Sequence, residues 1–169
     1  MSIAFDVARS KAPVHDEAFR SEYLQALRLI ERLHRLLLDV IKDEFDRQGG
    51  AELNSVQALL LYNIGESELT AGELKTRGYY LGSNVSYNLK KLVDMGYIHY
   101  KRSDTDRRSV RVSLTQKGLE ACDVVSKLYH RQLGSVRSVG EVSAEDIRSL
   151  NKALVRLERF WSDQIRYRL

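Results

Sequence analysis

Residues 81–115, LGSNVSYNLKKLVDMGYIHYKRSDTDRRSVRVSLT, change hydrophobic period within one short stretch, and few folds accommodate that. As far as Met95, the residues Leu81, Val85, Leu89, Leu92 and Val93 fall at helical spacing, so one stripe faces inward. At about 100° per residue, the opposite face carries Ser83, Asn84, Tyr87, Lys90 and Lys91. Small polar, amide, phenol and ammonium groups on one face suit hydrogen bonding to base edges and phosphates. Gly96 follows, where a left-handed residue would end the helix. Then come two short runs, 97–102 and 109–114. The second alternates Val110, Val112 and Leu114 with Arg111 and Ser113, which is the period of a strand.

Helix, glycine, strand, charged loop, strand is the order of a winged helix-turn-helix. The fold expected is therefore mainly α, with a small antiparallel wing sheet and long helices before and after it. Charge is distributed to match. The chain carries +4 in all, and from Lys75 to Arg111 nine Lys/Arg face three Asp/Glu. That stretch alone is +6 and the remainder is −2. A basic excess on the reading unit is an electrostatic footprint for a polyanion, although charge alone would also fit a solvated basic surface.

At 169 residues the chain is one domain, or a compact core with helical extensions. No apolar run approaches the ~18 residues of a membrane span. The N-terminus lacks the apolar core of a signal peptide, and a single cysteine fits a reducing cytoplasm. Neither GxGxxG, GxxxxGK[ST] nor HExxH occurs, so nothing points to an enzyme. The four histidines, His15, His34, His99 and His130, show no zinc-ligand spacing, and no metal or cofactor is expected.

In chain order, residues 1–15 read as a loosely ordered arm. Residues 16–52 hold a long helix whose stripe runs through Phe19, Tyr23, Ile30, Leu33, Leu37, Ile41 and Phe45. Its apolar face exceeds what one small domain can cover, and a second copy of the chain is the simplest partner. Residues 53–115 form the winged helix. Asn54 with Gln57, and Thr70 with Glu73, open two of its helices as capping boxes. Residues 116–169 supply two more helices, with a loop expected at 134–140. Ser143 and Asp146 start the last one, where Ile147, Leu150, Leu154, Leu157 and Trp161 alternate three and four apart. That seam suits dimerisation, and ordinary core would look the same.

The runs Asp106-Arg107-Arg108, Val110–Leu114 and Leu114-Thr115-Gln116-Lys117-Gly118 resemble the DxR…LTxxG wing signature of MarR-type transcriptional regulators. Leu69-Thr70-Ala71-Gly72-Glu73-Leu74 resembles that family's first helix-turn-helix helix, and the stretch 92–98 its exit from the second. The resemblance covers residues 53–118 by motif and the flanking helices by layout. It implies a cytoplasmic homodimer that binds double-stranded DNA at a pseudo-palindromic operator, released or modulated by a small-molecule effector. The wording of the first helix and of NVSYNLKKLVDMGYI also looks like the LdtR-type branch, which is tied to L,D-transpeptidase and cell-envelope genes. The alternative is a winged helix that binds protein without DNA.

By that resemblance Arg108 is the wing-tip residue reaching a minor groove, where an extended guanidinium suits negative potential. Asp106 would orient an arginine, because a carboxylate near phosphates is repelled. Arg107 could contact phosphate or remain solvated. On the reading helix the family's usual Thr-Arg is replaced by Ser86-Tyr87, so an arginine that reads guanine is missing. Tyr87 could pack on a thymine methyl or reach a phosphate, and Asn84 could read adenine. Lys90 and Lys91 suit phosphates. An effector pocket could include His34 and Tyr23, though core tyrosines would look no different. Cys122 could sense oxidant, but its apolar setting reads as packing.

Overall fold

The computed structural model describes residues 14–49, 52–76, 82–102 and 110–167. In chain order the elements are α1 (Val14–Arg47), α2 (Ser55–Ile64), β1 (Leu69–Thr70), α3 (Ala71–Thr76), α4 (Gly82–Asp94), β2 (Ile98–Arg102), β3 (Val110–Leu114), α5 (Gln116–Ser138) and α6 (Ala144–Tyr167). The chain divides into two units, Met1–Leu59 and Leu60–Leu169.

The first unit is dominated by α1. Asp16 and Glu17 lie in its first turn and Arg47 in its last, each placed favourably for the helix dipole. Gly49, at φ 103°, follows the helix. Ile41 and Phe45 are buried, whereas Phe19, Leu29, Leu33 and Leu36 are exposed. Burial is thus confined to the last turns of the stripe. Asn54 then caps α2 reciprocally: Gln57 N–H donates to Asn54 Oδ1 at 2.9 Å, and Asn54 N–H donates to Gln57 Oε1 at 3.1 Å.

The second unit holds a three-stranded antiparallel sheet in the order β1-β3-β2. Ile98 faces Leu114, Tyr100 faces Val112, and Leu69 faces Val112 from the other side. Ile98, Val112 and Leu69 are buried along that inner face. The alternation of 110–114 forecasts the hairpin. It does not forecast β1, whose second residue, Thr70, also caps α3. Thr70 N–H donates to Glu73 Oε2, and Glu73 N–H to Thr70 Oγ1.

One expectation is overturned. Residues 134–138 are not a loop, since α5 runs through Gly134 to Ser138. A lone glycine costs a helix only about 1 kcal/mol, too little to break one otherwise well formed. The helix stops at Val139 and Gly140, whose N–H groups both donate to Ser135 O. The buried line of α5 is Gly118, Ala121, Val125 and Leu128, flanked by half-buried Leu119, Cys122 and Tyr129. Ser143 and Asp146 cap α6 as their spacing suggests. None of the 24 residues of α6 is buried, although they include Ile147, Leu150, Leu154, Phe160 and Ile165.

Candidate nucleic-acid interface

The α4 helix divides cleanly by face. Leu89 and Leu92 are buried, while Ser86, Tyr87, Lys90 and Lys91 are exposed, Tyr87 to 66%. Asn88 is half-buried between the two faces. A large phenol this open on the protein surface gains nothing from the core, which leaves it available to a partner. Ser83 and Asn84 belong to the first turn of α4, and their side chains lie outside what is described. Asp106, Arg107 and Arg108 likewise lie outside the described residues.

The exit from α4 follows from its sequence. Gly96 adopts φ 77°, a left-handed conformation that glycine enters without Cβ strain. Tyr97 N–H donates to Leu92 O at 2.8 Å and Gly96 N–H to Val93 O at 3.0 Å. This is the paired bonding of a Schellman ending, and it turns the chain directly into β2. Beside the helix, a cleft of ≈ 310 Å³ is lined by Ser86, Leu89, Lys90, Val93 and Tyr100. The reading face therefore borders the wing strand.

Strand register reveals cations that spacing alone did not single out. Lys101 lies directly opposite Arg111, both exposed. Like charges so placed repel, and Glu68 meets only one of them, at 3.9 Å from Arg111. The basic count over 75–111 contained both residues, but their pairing required the register.

The remaining candidates do not gather into a pocket. His34 is exposed and Tyr23 half-buried, stacked on Phe19 at 6.3 Å. They share a face of α1 but stand three turns apart, about 16 Å along the axis. Cys122 is half-buried, and burial, followed by Asp123 and Glu66, pushes its thiol above the ordinary range. A raised pKa starves the thiolate that oxidants attack, which favours the packing reading. Tyr129 is pushed up by burial and by Tyr62, whose ring meets it edge-on at 5.1 Å. Among the described residues no group of three His, Cys, Asp or Glu could hold a metal ion, and no helix is long and apolar enough to cross a membrane.

A helix with one open polar face, a glycine exit and an antiparallel hairpin define the class, a winged-helix DNA-binding domain. The family model of that description matches residues 53–118. The chain is 36% identical over 148 residues to the exopolysaccharide II synthesis transcriptional activator ExpG of Rhizobium meliloti (strain 1021), spanning 86% of this chain and 74% of the relative. Among solved structures it is similar to the transcriptional regulator SlyA (TM-score 0.70, 20% identity, 85% of this chain and 99% of the other). It is also similar to a mutant MarR from E. coli complexed with operator DNA (TM-score 0.64, 20% identity, 80% and 95%). AbsC, a MarR family regulator from Streptomyces coelicolor, matches at TM-score 0.64 with 23% identity over 83% and 95%. The chain carries a winged-helix DNA-binding domain and belongs to one family of transcriptional regulators with ExpG, and its fold is that of the solved MarR regulators.

Proposed function

We propose that two copies of this chain bind a pseudo-palindromic operator, each placing residues 83–91 in a major groove and 103–109 over the adjacent minor groove. Reading heads about one helical turn apart, ~34–36 Å, suit that arrangement. The observation that carries it is the division of α4, with Tyr87, Lys90 and Lys91 open above buried Leu89 and Leu92. Ser83, Asn84, Ser86 and Tyr87 face the bases, Lys90, Lys91 and Arg107 the phosphates, and Arg108, oriented by Asp106, the minor groove. Residues 53–115 are the DNA-binding domain.

Residues 16–52 and 116–169 form the dimer scaffold. Support comes from the uncovered Leu33 and Leu36 on α1 and Leu150, Leu154 and Phe160 on α6. A small-molecule effector shifts the population of DNA-competent dimers in the cytoplasm. The ExpG relative is by name an activator of exopolysaccharide II synthesis, so exopolysaccharide genes are the targets to try first, and L,D-transpeptidase genes, which rest on the LdtR-like wording alone, come second.

A gel shift on DNA upstream of the protein's own gene, with polyanion competitor, tests this. Specific retardation at physiological salt is expected, and Arg108→Ala should weaken it while flattening the salt slope by about one. Retardation that random competitor abolishes would refute the reading.

A further inference from the structure

The turn by which the chain leaves the reading helix is held by the start of α5. A Schellman ending leaves the outward carbonyls of residues 95–97 to find partners elsewhere. Lys117 Nζ donates to Met95 O at 3.1 Å, Thr115 Oγ1 to Gly96 O at 2.7 Å, and Thr115 N–H to Tyr97 O at 3.1 Å. The same ammonium lies 4.3 Å from the centroid of the Tyr97 ring. Gly118 completes the contact by its lack of a side chain, because a Cβ there would stand 2.2 Å from Tyr97 O. Three successive carbonyls are thus taken by two residues, Thr115 through its hydroxyl and N–H and Lys117 through its ammonium, 18 or more positions further on.

From this geometry we infer that Lys117 is a positioning residue for DNA reading, not a phosphate contact. Its cation is placed where a helix C-terminus favours positive charge, and it fixes the angle at which α4 leaves α5. Through Thr115, Lys117 and Gly118 the long α5 helix and the reading face move as one piece. Sequence discrimination, which depends on where Tyr87 and its neighbours reach, therefore depends on this clamp. Affinity for phosphates in general does not. The inference rests on the DNA-binding reading proposed above.

Lys117→Met keeps the aliphatic stem and removes the charge, and Lys117→Arg restores it. Affinity for a selected operator and for random duplex of equal length is measured at several salt concentrations. Lys117→Met is expected to lose about tenfold in operator affinity, about 1.4 kcal/mol, with random-duplex affinity and its salt slope unchanged; Lys117→Arg should recover most of it. Equal losses on both duplexes with a slope lower by about one would make Lys117 a phosphate contact and overturn the inference, as would no change on either. Amide hydrogen exchange without DNA supplies a second readout. Lys117→Met should speed exchange at residues 95–97 and leave α6 as it was. Unchanged exchange there sinks the clamp, whereas a wild-type chain with no operator preference sinks only the DNA reading.

Discussion

Thr115→Val replaces a hydroxyl by a methyl of the same shape, so its effect measures hydrogen bonds without opening a cavity. Thr115 Oγ1 accepts from Gly118 N–H at 3.1 Å and donates to Gly96 O at 2.7 Å. Losing an N-cap side chain costs about 1 kcal/mol. Losing a second neutral bond, to a carbonyl that water can reach, costs about 0.5–1.5 kcal/mol. The expected sum is about 2 kcal/mol, or ~4–8 °C of Tm for a chain of this length. Urea and thermal unfolding at one fixed protein concentration would read it, with Thr115→Ser alongside. Serine keeps both bonds and should lose less than half as much. Valine within about 0.5 kcal/mol of wild type, the range of an ordinary surface substitution, would refute the reasoning, and so would serine as harmful as valine.

Three further outcomes follow from other parts of the molecule. Leu150 and Leu154 are 49% and 36% exposed in the single chain; introducing Leu150→Asp with Leu154→Asp should weaken self-association at least about a hundredfold, or ~2.7 kcal/mol, by sedimentation, and an unchanged dimer would remove α6 from the interface. Gly134 has open space where a Cβ would go, so Gly134→Ala should stabilise the chain by about 0.5–1 kcal/mol in urea titrations; destabilisation would mean the helix needs that glycine. The Ser143 hydroxyl and N–H hold the Asp146 carboxyl below its ordinary 3.8. A depressed folded value stabilises above the unfolded value and is lost as pH falls through the folded one, so carboxyl titration by NMR should show Ser143→Ala returning Asp146 towards 3.8, and an unmoved titration would discount the cap.

What was legible in the sequence was what is local. Asn54, Thr70, Thr115 and Ser143 each bond within three residues, and a cap of that kind is written in neighbouring letters. The two faces of α4 and the hairpin alternation are equally short-range. Over 134–138 the Gly and Ser composition suggests a loop, whereas a helix as long as α5 absorbs one glycine without breaking. The strand β1 is not legible because Leu69 and Thr70 are too few to show a period, and their partners Val112 and Arg111 are 43 and 41 positions on. Likewise Lys117 meets Met95 across 22 residues, and nothing in either neighbourhood announces it. The stripe on α6 was plain as a pattern, but a pattern does not say what covers it.

Operator recognition of this kind needs two copies presenting two reading helices to one stretch of duplex. Selection of bound sites from a random DNA library by the purified full chain tests this most directly. The predicted result is an inverted repeat with half-sites centred about 10–10.5 base pairs apart. A pool without any enriched motif, or with a single site lacking repeat symmetry, would contradict it.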